Sequence, residues 1–118
     1  MADNTAAETP QSAHEKIFTS PRSEALYEAL LQLKTPEECA CFINDLCTPA
    51  EIEAVKERWL IARLLDAGKI SYRDISARTG ASTTTVGRVA RFLKQEKNAG
   101  YRLVLDRLKQ KESSNYEQ

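Results

Sequence analysis

The 118-residue chain has one histidine, three cysteines and no long apolar run, and each shortage argues against a class of protein. The histidine, His14, lies in a polar segment, and the cysteines show neither CxxC spacing nor a histidine nearby, so no metal-ligand pattern is present. No segment approaches the ~20 apolar residues of a membrane-spanning helix. The odd cysteine number and the lack of a signal-peptide pattern favour a cytoplasmic protein with reduced thiols.

The formal net charge of zero conceals a strong asymmetry along the chain. Residues 1–47 contain 3 basic and 8 acidic side chains, a net charge of −5, whereas residues 68–111 contain 11 basic and 3 acidic ones, a net charge of +8. Because a basic segment binds a polyanion by releasing its counterions, the second half is predicted to contact nucleic acid. The alternative is that the asymmetry only aids solubility.

The middle of the chain consists of segments whose apolar residues repeat with a helical period, separated by residues typical of helix N-caps. Residues 1–20 are polar and aperiodic, which predicts a disordered N-terminal tail, and residues 112–118 predict a disordered C-terminal tail for the same reason. The domain between them, residues 21–111, shows no strand alternation. We therefore predict an all-α fold of about six helices. The last helix is expected to be capped by Asn98 and to bury Tyr101, Val104, Leu105 and Leu108.

Proline marks the start of three predicted helices. Pro21 opens the first helix, and Thr35-Pro36 and Thr48-Pro49 combine an N-cap with a proline whose missing N–H costs nothing at the first helical position. The third helix runs to about Ala67, where Gly68 stops it, and it is apolar around most of its circumference. In so small a chain this favours burial against a second subunit, with packing inside the monomer as the alternative.

The helix that follows Thr35-Pro36 carries two of the three cysteines. Cys39 shares one face with Phe42, Ile43 and Leu46, so it is predicted to be a small core residue, whereas Cys41 points to another face. Buried or reduced thiols are therefore preferred over a ligand set.

Residues 71–95 carry the most specific local signal, that of a helix-turn-helix. Ser71 is a suitable N-cap, Gly80 can adopt the left-handed conformation that ends a helix sharply, and Ser82 restarts a helix two residues later. The second helix is predicted to bury Val86, Val89, Ala90 and Leu93. Its opposite face carries no acidic residue and consists of Thr83, Thr84, Gly87, Arg88 and Arg91. Such a face favours insertion into a DNA major groove over an ordinary αα-hairpin.

The order of these features resembles the Trp repressor family. The match is densest between Leu46 and Lys94, in the segments LCTPAEIEAV, RWLIARLLDAGKISYRDI and VGRV. More narrowly, the chain is similar to the YerC/YecD-like branch of that family. The resemblance implies an intertwined homodimer that presents two recognition helices to successive major grooves, and hence a sequence-specific transcriptional regulator, most simply a repressor.

The same resemblance implies which residues contact double-stranded DNA. Thr83, Thr84 and Thr85 match the start of the family's recognition helix, where base edges are read. Tyr72 and Arg73 match positions of the preceding helix that meet the phosphate backbone. The remaining predicted contacts, on the exposed face of the recognition helix, are Gly87 and Arg91.

A small-molecule pocket is also implied by the resemblance. Thr48 matches a threonine of the family's co-repressor pocket, and Arg58 and Arg88 match two arginines that hold the ligand's ring and carboxylate. Val89 and Phe92 stand where the family repressor has glycine and serine, and Phe92 is expected to occupy the space of the ligand's indole. These departures argue against L-tryptophan. Either another small-molecule co-repressor binds, or the dimer binds DNA without one.

Several alternatives stay open at this point. Arg58 could form a helix-surface salt bridge with Glu51 or Glu57, and Trp59 could pack toward the pocket. The whole chain could be a dimeric protein-interaction module that kept the fold but not specific DNA binding. An enzyme is not predicted, because the sequence has no carboxylate pair in an apolar setting and no glycine-rich phosphate loop.

Overall fold

The computed structural model describes residues 20–94 and 99–116, and this part of the chain contains helices and no strand. The predicted all-α fold is therefore confirmed. The N-terminal tail, apart from Ser20, and the expected cap Asn98 lie outside the described residues. The described residues form six helices: α1 (Pro21–Leu30), α2 (Pro36–Leu46), α3 (Pro49–Ala67), α4 (Tyr72–Thr79), α5 (Thr83–Lys94) and α6 (Gly100–Tyr116).

The first three helices begin in the same way, with a hydroxyl cap followed by proline. The cap side chain accepts a hydrogen bond from a backbone N–H of the first turn, which has no carbonyl partner within the helix. Thr48 and Glu51 form a complete capping box, in which the Thr48 N–H donates to Oε1 of Glu51 at 2.8 Å. The three caps are Ser20, Thr35 and Thr48.

The chain divides into two units, residues 1–47 and residues 48–118. In the described part of the first unit, α1 and α2 bury none of their residues, and Leu31, directly after α1, is 81% exposed. The prediction that Cys39 is a core residue is therefore wrong for the single chain, because α2 has no buried face. All three cysteines are free thiols.

The core of the second unit is built by α3, α4 and α5, which pack on one another, while α6 packs against α5. Ile61 of α3, Ile75 of α4, and Val86 and Val89 of α5 are its largest fully buried side chains. Burying an aliphatic side chain of this size stabilises a fold by about 1.5–3 kcal/mol. These four residues therefore hold α5 in one orientation against α3 and α4.

The last helix differs from the sequence prediction in length and in burial. It continues past the predicted boundary at Lys111 to Tyr116, because no glycine or proline interrupts the intervening residues. Of its predicted stripe, Leu105 is buried and Tyr101 is half-buried. The remaining two positions are exposed because only a narrow strip of α6 meets the rest of the unit; they are Val104 and Leu108.

An ion network joins α6 to the end of α3. The Asp66 side chain is only 12% exposed. Its Oδ1 lies 2.8 Å from Nη2 of Arg102, and its Oδ2 lies 2.8 Å from Nζ of Lys109. Arg102 also pairs with Asp106 of its own helix at 3.0 Å. The hydrogen bond from Lys109, and then that from Arg102, holds the pKa of Asp66 below its ordinary value of 3.8, because both favour the ionised carboxylate.

Replacing Asp66 should therefore destabilise the protein in a pH-dependent way. Asp66→Asn is expected to lower the free energy of unfolding by about 1–2 kcal/mol at neutral pH, measured by urea denaturation. Since the folded-state pKa lies below the unfolded one, the wild-type advantage is complete above the ordinary value of 3.8 and disappears as the pH falls through the lower, folded-state value. Asp106→Asn is the control: Asp106 is 52% exposed and, among the described residues, pairs only with Arg102, so a smaller loss is expected. Equal losses would show that Asp66 does not anchor α6.

Candidate nucleic-acid interface and neighbouring cavity

The turn between α4 and α5 is defined by two serine caps and one glycine. The Ser71 hydroxyl accepts from the Asp74 N–H at 3.1 Å, which caps α4. Gly80 ends α4 with φ +82°, a conformation that costs a residue with a Cβ atom free energy. The Ser82 hydroxyl accepts from the Thr85 N–H at 3.1 Å, which caps α5. The predicted restart of a helix after Gly80 is confirmed.

Two further hydroxyls, which sequence reasoning missed, strengthen this turn. The Ser76 hydroxyl donates to the carbonyl of Ala81. The Thr79 hydroxyl donates to the carbonyl of Ile75 at 2.8 Å and accepts from the Ala81 N–H at 3.2 Å. Because these bonds join the end of α4 to the start of the turn, the two helices are linked by side chains as well as by the chain itself.

Helix α5 separates apolar and polar residues cleanly. The predicted buried stripe is confirmed, since its buried residues are Val86, Val89, Ala90 and Leu93. No residue of α5 is acidic. The exposed residues of the other face are Thr83, Thr84, Arg88, Arg91 and Lys94, while Thr85 and Gly87 are half-buried.

The three threonines at the start of α5 are not equivalent. The Thr85 hydroxyl lies 3.1 Å from the Ser82 hydroxyl, so it takes part in the capping of the helix. Thr83 and Thr84 make no side-chain hydrogen bond with any described residue. Their exposed hydroxyl and methyl groups are therefore the ones available to an external partner.

The first turn of α4 adds a second exposed group to this surface. Tyr72 and Arg73 are both exposed, and Arg73 pairs with no carboxylate among the described residues. A helix N-terminus carries the positive end of the helix dipole, and here an arginine adds a full charge. The combination suits a phosphate group.

A cavity of about 550 Å³ lies between α3, α5 and α6. Three walls are aromatic (Trp59, Phe92 and Tyr101), and the rest of the lining consists of Arg58, Arg88, Val89, Gly100 and Val104. The structure thus brings together four of the five predicted pocket residues. It leaves out Thr48, whose hydroxyl caps α3.

Sequence reasoning did not place Tyr101 and Val104 in the cavity, because their spacing only marked them as the apolar side of α6. Trp59 packs toward it as expected. The Trp59 and Tyr101 rings are stacked, with centroids 6.4 Å apart and an interplanar angle of 19°. Ring pairs at this separation attract each other beyond their buried area. The stack therefore holds the start of α6 beside α3.

Phe92 lines the cavity without filling it. Its ring lies beneath two guanidinium groups, with the Arg88 Cζ 4.6 Å and the Arg91 Cζ 5.3 Å from its centroid. Contacts of this kind stabilise exposed cations by about 0.5–1 kcal/mol each. Val89, only 1% exposed, belongs to the core. An open volume remains beside the Phe92 ring, and the occupation of a ligand's space by Phe92 stays a prediction.

Arg58 forms no ion pair with any carboxylate in residues 20–94 and 99–116, so the alternative salt bridge with Glu51 or Glu57 is absent there. No group of three metal-ligating side chains occurs among the described residues either. None of the described helices combines the length and the apolar character that crossing a membrane requires.

Comparison with known proteins agrees with this geometry. Residues 22–109 match the family model of the Trp repressor protein. The chain belongs to the Trp repressor family. A curated member, "Uncharacterized protein YerC" of Bacillus subtilis (strain 168), is 42% identical over 90 residues, which cover 76% of this chain and 85% of the relative. The sequence resemblance is therefore confirmed, including its YerC-like branch.

Two crystal structures of Trp repressor-like proteins share the fold. A TrpR-like protein from Eubacterium eligens ATCC 27750 is 38% identical, with a TM-score of 0.72, covering 79% of this chain and 94% of that one. A protein from Staphylococcus aureus, proposed to be a Trp repressor, is 37% identical, with a TM-score of 0.71, covering 76% and 88%. Membership of the Trp repressor family indicates a DNA-binding regulator.

Replacing the two glycines of the helix-turn-helix with alanine should change the free energy of unfolding in opposite directions. Gly80→Ala is expected to lower the free energy of unfolding by about 1 kcal/mol, because φ is +82° there. Gly87→Ala should raise it by about 0.5–1 kcal/mol, because a Cβ atom at this position in α5 meets nothing within 4 Å. Chemical denaturation of both variants measures the difference. A destabilised Gly87→Ala protein would mean that α5 is not a regular helix at that residue.

Proposed function

We propose that this protein is a sequence-specific DNA-binding transcriptional regulator, acting as a homodimeric repressor whose α5 enters the major groove. The observation that carries the proposal is the two-sided character of α5. Val86 and Val89 are buried against α3 and α4, while the opposite face carries hydroxyls, arginines and no carboxylate. A helix with such a face can approach closely spaced phosphates without repulsion.

Within this surface we assign different roles to base and phosphate contacts. Thr83 and Thr84 contact base edges, where a hydroxyl can donate or accept and a methyl can meet thymine. Thr85 positions the start of α5 through its bond to Ser82. The remaining contacts position the protein on the phosphate backbone or allow close approach; they come from Tyr72, Arg73, Gly87 and Arg91.

Exposed apolar side chains support the homodimer. Single exposed leucines are common on protein surfaces, but many on one small chain indicate that a partner covers them. A second copy is the partner that provides two recognition helices for the two halves of a symmetric DNA site. The apolar side chains concerned are Leu26, Leu30, Leu31, Leu46, Val55, Leu60, Leu103, Val104 and Leu108.

We also assign the cavity between α3, α5 and α6 as an effector site. Arg88 and Phe92 belong both to its wall and to α5, so a molecule bound there touches the recognition helix directly. L-Tryptophan is not the proposed effector, because the Phe92 ring already lies under the Arg88 guanidinium at 4.6 Å. The geometry therefore supports DNA binding that does not require tryptophan.

Selection of duplex DNA from a random pool by the purified protein, at moderate salt, tests the proposal. We expect a palindromic motif with half-sites about one helical turn apart, enriched with and without L-tryptophan, because the symmetry of the site mirrors that of the dimer. Enrichment only with tryptophan would contradict the role given to Phe92. The absence of any motif in both arms would replace the proposed function with that of a protein-interaction module.

Arg73→Ala and Thr84→Val should separate affinity from specificity. Arg73→Ala is expected to weaken binding to the selected and to random duplexes by the same factor, and to reduce the slope of log K against log salt by about 1. Thr84→Val keeps the shape but removes the hydroxyl, so it should leave that slope unchanged and alter the preferred sequence. Fluorescence anisotropy over a salt series, followed by a repeated selection, measures both. An unchanged preference with Thr84→Val would count against the assigned base-reading face.

A further inference from the structure

We infer that Ser76 and Thr79 are positioning residues for DNA recognition, because their hydroxyls fasten the turn residue Ala81 to α4 and so fix where the start of α5 lies. The inference deepens the proposed function and rests on it for the effect on sequence preference. It adds two residues that are not assigned to contact DNA.

Ala81 is the central residue of the turn between α4 and α5. Its side chain is 5% exposed and belongs to the core cluster together with Ile75 and Val86. A backbone N–H or carbonyl at such a buried position costs free energy when it has no hydrogen-bond partner. The partners of the Ala81 backbone therefore matter for where the turn can lie.

Both backbone polar groups of Ala81 are paired with side chains of α4. The Ala81 N–H donates to Oγ1 of Thr79 at 3.2 Å, and the Ala81 carbonyl accepts from the Ser76 hydroxyl. Thr79 in turn donates to the carbonyl of Ile75 at 2.8 Å, so its hydroxyl both accepts and donates. Ser76 and Thr79 are half-buried, which limits the competition of water for these bonds.

The position of Ala81 determines the position of the first turn of α5. Ser82 alone separates Ala81 from that helix, and its hydroxyl caps the helix by accepting from the Thr85 N–H at 3.1 Å. Thr83 and Thr84, the residues assigned to base edges, follow directly. The buried side chains of α5 fix its rotation about its own axis, whereas the bonds to Ala81 fix where its N-terminal end lies relative to α4.

Base contacts depend on this position more steeply than phosphate contacts do. A hydrogen bond to a base edge requires a donor–acceptor distance of about 2.7–3.2 Å, so a shift of about 1 Å at Thr83 or Thr84 breaks it. The attraction between an arginine and a phosphate falls only slowly with distance. Loss of the hydroxyls of Ser76 and Thr79 should therefore lower specificity and leave the electrostatic part of the affinity in place.

Thr79→Val tests this, because valine keeps the branched shape and removes the hydroxyl. The quantity measured by fluorescence anisotropy is the ratio of the affinity for the selected palindrome to that for a random duplex. We expect Thr79→Val to lower this ratio about tenfold, a loss typical of one mismatched base pair, with an unchanged slope of log K against log salt. Thr79→Ser restores the hydroxyl and should restore the ratio. A wild-type ratio for Thr79→Val would overturn the inference.

Thr35→Val is the matched control for general destabilisation. It makes the same substitution at the cap of α2, where Oγ1 of Thr35 accepts from the Glu38 N–H at 3.1 Å. The variant loses a helix-capping bond but lies outside the helix-turn-helix, so its ratio should equal that of the wild-type protein. Thermal melting establishes that every variant is folded at the assay temperature. An equal fall of the ratio for Thr35→Val would overturn the positioning role.

Amide hydrogen exchange, followed by NMR without DNA, tests the hydrogen bonds themselves. In Thr79→Val the Ala81 N–H loses its acceptor, so its exchange should become about tenfold faster or more, while the amide of Ile61 in the core of α3 should be unaffected. Thr79→Ser should exchange like the wild-type protein at Ala81. Unchanged exchange at Ala81 in Thr79→Val would overturn the inference.

The failures of the two proposals are distinguishable. If the wild-type protein selects a palindromic motif but Thr79→Val keeps its specificity ratio, the positioning role is wrong and the regulator assignment stands. If the wild-type protein selects no motif, the regulator assignment is wrong and the effect on specificity fails with it. Faster exchange at Ala81 in Thr79→Val would in that case support the fastening of the turn alone.

Discussion

The burial of Val86 and Val89 against Ile61 and Ile75 determines what α5 can present to its surroundings. A helix turns by about 100° per residue, so fixing these two positions also fixes the direction of every other side chain on α5. Rotating the helix would withdraw two branched side chains from the core, at about 1.5–3 kcal/mol each. For a domain whose total stability is of the order of 5–15 kcal/mol, that cost is large. The outward direction of the threonines and arginines is therefore a consequence of the core.

Features that depend on neighbouring residues were predictable from the sequence, and features that depend on distant ones were not. Ser71, Gly80 and Ser82 act within three or four positions of themselves, so their types and spacing predict the turn that the structure contains. Asp66 and its partners on α6 are far apart in the chain, and only the packing of α6 beside α3 brings them together. Their charges alone gave no sign of this pairing.

The remaining differences between the sequence prediction and the structure concern which apolar helix faces are covered by another element. Periodicity identifies an apolar stripe on a helix, but it does not show whether another element packs over that stripe. Leu105 is buried, whereas Leu108, one turn further along the same stripe, is exposed. Cys39 is a second example, because the periodicity of α2 predicts that it is buried, whereas it is exposed in the single chain. Such positions mark the surfaces for which a second copy of the chain is proposed as the cover. The cavity shows the opposite situation, in which a residue gains a role that periodicity does not predict. Tyr101 lines the cavity only because α6 packs against α5.

Arg88 belongs both to the cavity wall and to the exposed face of α5. It lies on α5, lines the cavity and rests on Phe92, whereas Arg58, which lines the same cavity, lies on α3. Under the proposed function, an anion bound in the cavity and a DNA phosphate beside α5 would both attract the Arg88 guanidinium, so occupation of the cavity would change the affinity for DNA. Linkage requires this effect to be reciprocal: whatever factor the ligand applies to DNA affinity, DNA applies to ligand affinity. Under the same proposal, the stacking of Arg88 on Phe92 would limit that factor, because a guanidinium stacked on a ring has fewer alternative positions to adopt.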